Sequence, residues 1–198
     1  MYDLQDSRWL KNINQVRPSE HEVVLTFDDG PSRYLDEILD LLQAKVVPAL
    51  FFWQSRLLHD QRPWQRVLTE GHKIGSHAHN HKNLVKLDRQ QQYEQVKSSV
   101  KQIEAITGEP VRYFRPPFGR YNEDTMAAIS QLGLTPVMWD ISSYDWELKA
   151  DPSQIICNVA NHVRGGSIIL LHELAQTVTV LPEIIDKVRD QGFEFTMI

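Results

Sequence analysis

Only one cysteine, Cys157, occurs in 198 residues, so no internal disulfide can staple the chain. It sits in the apolar run Ile155-Ile156-Cys157 of a helical pattern, where a buried, inert thiol is expected rather than a nucleophile. No stretch approaches the roughly 20 apolar residues of a membrane span. No basic cluster appears either. Lysine and arginine number 21 against 26 aspartates and glutamates, a net charge of −5, which argues against a nucleic-acid footprint. The start, Met1-Tyr2-Asp3-Leu4-Gln5-Asp6, lacks the basic and apolar regions of a secretory leader. The compartment therefore stays open: cytoplasmic as written, or extracellular or cell wall if a leader was removed. Repeats, low-complexity tracts and Gly/Ser linkers are also missing. One domain over residues 22–198, preceded by an N-terminal extension over residues 1–21, is the expected organisation.

What is present is an alternation of short apolar runs with helical periodicity. Strand-like runs lie at residues 22–27, 47–53, 73–76, 111–114, 134–139, 167–171 and 193–198, mostly continuous and apolar, as for strands covered on both faces. Between them, Leu35, Ile38, Leu39, Leu42 and Val46 share a helix face, as do Tyr93, Val96, Val100, Ile103 and Thr107. Similar patterns run through Met126–Leu132, Ile155–Val163 and Leu181–Val188, with a weaker one around Trp64–Leu68. Seven strands alternating with six helices imply parallel strands joined by right-handed crossovers, in a barrel or an open sheet.

The polar clusters favour the barrel. Asp28–Asp29, His77–His81, Arg115–Phe118, Asp140–Trp146 and His172 each follow a different strand-like run. Several strand ends meet at one place only at the C-terminal mouth of a barrel. In Thr26-Phe27-Asp28-Asp29-Gly30-Pro31, two adjacent carboxylates repel unless a cation or donors compensate, although an isolated Asp-Asp-Gly is commonly a solvated turn. Four histidines within ten residues, His72, His77, His79 and His81, suggest metal. Pairs four apart could share a helical turn, and His77 with His79 could share one side of a strand. Two histidines with one carboxylate leave coordination positions open, as in catalytic sites. The prolines after Arg115 stiffen the backbone there, and an arginine near an acid keeps the acid ionised, as a general base requires. An apolar strand delivering His172 to the mouth suits a general acid or base.

Taken in order, these motifs resemble those of the polysaccharide deacetylases of carbohydrate esterase family four, the NodB-like domain, across residues 22–198. The matching residues are Thr26-Phe27-Asp28-Asp29-Gly30, His77 with His81, Arg115-Pro116-Pro117-Phe118, Asp145-Trp146 and Leu170-Leu171-His172. The resemblance implies an α/β fold, a distorted (β/α)7 barrel of parallel strands with its site at the C-terminal mouth. It implies one divalent metal on Asp29, His77 and His81, zinc first, with Co2+ or Fe2+ as alternatives. It makes Asp28 the base, His172 the acid, Arg115 the partner of the base and the Phe118 N–H an oxyanion donor. The implied substrate is an acetylated oligo- or polysaccharide such as chitin oligomers or peptidoglycan. Among aromatic residues near the strand ends, Phe118, Trp146 and Tyr121 are the substrate-binding candidates, and Trp146 is the first choice for lining the pocket.

Two positions depart from the family pattern. Ala78 stands where Ser or Thr follows the first histidine, so a hydrogen bond orienting the loop is lost or comes from Ser76 or Asn80. Ser142 stands where an aspartate is expected to hold Arg115, and Asp140, two residues earlier, is the candidate substitute. These departures keep alive a catalytically silent glycan-binding protein, while O-acetyl xylan cleavage would use the same groups. A small-amide amidohydrolase fits less well, because its His-x-His pair would follow an early strand.

Overall fold

Residues 5–198 are described by the structure, a computed structural model. The first strand, β1 (Glu22–Gly30), carries the β-branched Val23-Val24 just inside its start and is buried along most of its length. Its side chains alternate. Val23, Leu25 and Phe27 face the helical layer, and Val24 joins the inner cluster of Leu10, Ile13, Leu50, Phe52, Val137 and Ile168. Thr26 and Asp28 continue the inner column upward.

The other elements follow in alternation: α1 (Leu35–Lys45), β2 (Ala49–Trp53), α2 (Trp64–Thr69), β3 (Lys73–Ser76), α3 (Arg89–Thr107), β4 (Tyr113–Phe114), α4 (Glu123–Gln131), β5 (Thr135–Pro136), β6 (Ile141–Ser142), α5 (Pro152–Ala160), β7 (Ile168–His172), α6 (Ala175–Asp190) and β8 (Glu194–Phe195). The parallel strands run in the order β5-β4-β3-β2-β1-β7-β6, with β8 beside the start of β1. All six expected helices form. Helices α3 and α4 begin with capping boxes, Asp88 with Gln91 and Asn122 with Thr125, which satisfy otherwise unpaired N–H groups. Helix α1 instead ends on Val46 in a left-handed conformation, 82% exposed.

The expected strand 134–139 is shortened: only β5, Thr135–Pro136, forms and pairs with β4, while β6, just beyond its end and not expected from sequence, pairs with β7. One divided run thus borders both edges of the sheet and completes a distorted (β/α)7 barrel. The gap in that run is bridged from the N-terminus: Leu10 N–H donates to Pro136 O (2.9 Å), and Met138 N–H donates to Leu10 O (2.8 Å). Trp9, Leu10 and Ile13 are buried, so this part of the 1–21 segment fills the base of the barrel. Cys157 corrects an expectation: it lies on the exposed side of α5, because Ile155 and Val159 are the residues that turn inward.

Candidate active site

Successive residues of a regular strand point to opposite faces, so Asp28 and Asp29 should not share a site. A bulge resolves this. Asp28 is in register with Phe52 and His172, whereas Gly30 is in register with Trp53, leaving Asp29 as the extra residue with φ +70°. Both carboxylates therefore reach the mouth. Of six non-glycine residues with positive φ among the described residues, five lie around it: Asp29, Ala78, His81, Phe118 and Tyr144. Such conformations are costly and persist where the surroundings impose them.

Asp29, His77 and His81 bring one ligand atom each within 4.8 Å of one another. His81 Nε2 is 3.1 Å from Asp29 Oδ1, and His77 Nε2 is 3.7 Å from it. The His77 Nδ1–H donates to the Arg115 carbonyl (2.7 Å), which leaves Nε2 free to face the cluster. Burial, aided by neighbouring His77, holds His81 at about 4, neutral at ordinary pH, the form able to bind a metal. Burial pushes Asp29 upward, but His77, His172, His81 and the amide of Gln54 outweigh it and its pKa is lowered. Two imidazoles and a carboxylate, open on the cavity side, fit a divalent transition metal. His79 turns away and hydrogen-bonds with Ser55 (2.8 Å).

Behind this cluster lies a buried ion pair. Arg115 is fully buried and its Nη1 donates to Asp28 Oδ1 (2.6 Å) and Thr26 Oγ1 (2.8 Å), while Nη2 donates to Met138 O (2.8 Å). Its guanidinium stacks 4.2 Å from the Phe52 ring. The carbonyls of Met138 and Val137 thus hold Arg115 from the divided strand. Asp140 does not replace them, which corrects the substitution expected from sequence. It lies at the base of the barrel, accepting from Asn12 (2.9 Å) and the Ile168 N–H (2.8 Å) and pairing with Arg164. Ser142 Oγ is buried without a hydrogen-bond partner among the described residues. Ala78 is compensated: its N–H donates to Ser76 Oγ (3.3 Å), and Gln95 accepts from the backbone of His79 and Asn80.

On the opposite side, the His172 Nδ1–H donates to Asp145 Oδ1 (2.7 Å), leaving Nε2 toward the mouth, 3.9 Å from Asp29 Oδ2. Asp145 is fully buried, and its Oδ2 accepts from the His172 N–H (2.7 Å) and Thr177 Oγ1 (2.6 Å). Burial opposes charge on His172, but the hydrogen bond and charge of Asp145, reinforced by Asp28 and Asp29, raise its pKa to about 9. Sequence reasoning quoted Asp145 within a motif without giving it this partner. It also missed Glu173 and Gln54. Glu173 is buried under Gly30, accepting from Trp53 Nε1 (2.9 Å) and the Ser32 N–H (2.6 Å), and any side chain at Gly30 would collide with it.

Asp28, Asp29, His77, His81 and His172 line one cavity of about 780 Å³, together with Asn83, Lys86, Phe118, Arg120, Trp139, Trp146 and Glu147. Phe118 is 57% and Trp146 42% exposed, facing His81 (4.5 Å) and His172 (5.1 Å) respectively. Tyr121 is not among the lining residues, which corrects its expected role. Its hydroxyl donates to Asp6 (2.8 Å) and its ring packs on Trp9 (4.7 Å), because the buried N-terminal segment draws it away from the mouth.

Fold and site together give a β/α barrel with an open Asp-His-His cluster at its mouth, flanked by the Asp28–Arg115 and His172–Asp145 pairs. The family model for polysaccharide deacetylase matches residues 15–137. The chain is 31% identical over 186 residues to a peptidoglycan N-acetylmuramic acid deacetylase of Bacillus subtilis, covering 92% of this chain and 39% of that protein. A family 4 carbohydrate esterase from Streptomyces lividans, solved with acetate, superposes with a TM-score of 0.84 at 28% identity, covering 91% of this chain and 94% of that one. A family 4 pseudoenzyme from Bacillus anthracis superposes at 0.82 with 25% identity, covering 90% and 64%. This chain belongs to the polysaccharide deacetylase family. It spans well under half the length of several curated relatives, 29% and 38% in two further cases.

Proposed function

We propose that this domain hydrolyses acetyl groups from N-acetylated glycans, with Asp29, His77 and His81 holding one divalent metal, Zn2+ before Co2+ or Fe2+. The observation that carries the reading is the opposed arrangement of Asp28–Arg115 and His172–Asp145 across that cluster. A divalent ion held there supplies Lewis acidity, making water a better nucleophile at neutral pH and polarising the acetyl carbonyl. Asp28 commits Oδ1 to Arg115 and presents Oδ2 beside His77 Nε2 (3.7 Å), placed to accept the proton of the attacking water. The Phe118 N–H, on a loop stiffened by Pro116 and Pro117, is assigned to the oxyanion, where a single donor is typically worth about 3 kcal/mol. His172, protonated at neutral pH, gives its Nε2 proton to the departing amine. Trp146 covers the acetyl group beside it.

A silent glycan-binding protein is the second reading, favoured by Ser142 in place of the expected aspartate and by the pseudoenzyme neighbour. Acetate release from acetylated chitooligosaccharides, peptidoglycan and xylan separates the two. Metal-dependent release that Asp28→Asn abolishes supports the hydrolase, and the responsive substrate decides between N- and O-acetyl chemistry. Tight glycan binding without release, at any metal, would establish the binding protein instead.

A further inference from the structure

The mouth cavity is polarised. Its β3–α3 and β4–α4 loops meet where the rings of His81 and Phe118 lie 4.5 Å apart, and each loop contributes one cation to the lining, Lys86 and Arg120. The opposite wall carries Trp146 and Glu147, whose carboxylate accepts from the indole N–H (3.2 Å). Both cations are exposed, and among the described residues neither has a carboxylate within ion-pair distance. Asn83 shares the lining, and its Oδ1 is buried with no hydrogen-bond partner among the described residues. A buried orphan acceptor calls for a donor such as a sugar hydroxyl or amide N–H. A cavity of about 780 Å³ holds far more than an acetyl group.

We propose that Lys86 and Arg120 form a carboxylate subsite, so that the preferred substrate is an acetylated glycan with an acidic group on or next to the reacting sugar. This rests on the deacetylase reading above. The guanidinium offers a planar fork suited to a carboxylate, and Lys86 adds a compact charge. Glu147 repels an acid from the other wall and so sets the direction in which the glycan lies. Two sources share this chemistry: an O-lactyl group on the acetylated sugar, or a neighbouring uronic acid.

The test compares oligosaccharide twins, carboxylic acid against primary amide, with one pair for each acid source. Acetate release by the metal-loaded enzyme gives kcat/KM, and equilibrium binding to Asp28→Asn gives affinity without turnover. The acid twin of one pair should be favoured about tenfold, in line with two solvent-exposed ion pairs, and the responding pair identifies the source. Added salt should shrink the ratio, and Lys86→Gln with Arg120→Gln should bring it toward one. Equal reaction and binding of both twins would overturn the subsite, as would a double variant that slows both twins by the same factor. Acetate release without acid preference removes the subsite alone. Acid-selective binding with no release retains the subsite and removes the deacetylase reading.

Discussion

Replacing Asp145 with Asn tests whether the buried carboxylate governs the proton on His172. The amide must keep its oxygen toward the donors at His172 N and Thr177 Oγ1, so its NH2 group turns toward His172 Nδ1. An imidazolium there would set N–H against N–H. Burial, which lowers the His172 pKa, then acts without its main opponent, and the value falls from about 9 to the ordinary 6.5 or below. The step needing protonated His172 is lost as pH rises through its pKa. At about pH 6 the variant should retain most activity, whereas near pH 8.5 the protonated fraction falls from roughly three quarters to about 1%, a loss approaching a hundredfold. A cation in the Asp-His-His cluster lowers both values together, so the separation of the two basic limbs is the measurement. Acetate release between about pH 5.5 and 9.5 gives both limbs, and NMR titration of the His172 ring gives the pKa directly. Limbs that superimpose after scaling would refute the reasoning and leave Asp145 a purely structural residue.

Arg115→Ala strips a buried charge pair of one member and should cost about 3–5 kcal/mol in denaturant unfolding as well as activity, while Arg115→Lys should recover more stability than rate. His72 is buried, accepts from the Ala49 N–H (3.1 Å), and is held by burial at about 4 against an ordinary 6.5. The unfolded chain binds its proton first as pH falls, so this histidine costs stability below pH 6.5, by at most about 3 kcal/mol at pH 4. His72→Gln should flatten the stability profile in that window, and an unchanged slope would assign it to other groups. Val46→Gly should raise the melting temperature by relieving a β-branched residue at φ +52°, a gain of about 1 kcal/mol, with activity unaltered. A lowered melting temperature would mean that unfolded-state entropy outweighs the strain.

The barrel was readable because its inner and outer strand faces are both covered, which writes each strand as a continuous apolar run, and because the strong helices carry clear periodicity. Asp28, Asp29, His77, His81, Arg115 and His172 do converge, since residues following parallel strands emerge at the same end. What sequence could not give was orientation within loops. The bulge that turns Asp29 beside Asp28 has no signature beyond the following Gly-Pro. Tyr121 and Asp140 carried suitable chemistry, but their partners Asp6 and Asn12 belong to a segment whose tertiary docking no local pattern announces. Asp145 was visible as a motif residue, yet its pairing with His172 bridges 27 positions and depends on how β6 and β7 align.

The divided strand gives the N-terminal segment influence at the far end of the barrel. The Met138 peptide has two commitments: its N–H donates to Leu10, and its carbonyl receives Arg115, which in turn grips Asp28. Three hydrogen bonds therefore run from a residue at the base to the carboxylate assigned the proton. A catalytic domain boundary drawn at residue 22 would cut that line at its first link. Chains trimmed there would lose the hydrogen bond that steadies the Met138 peptide under the guanidinium, with every residue of the mouth still in place.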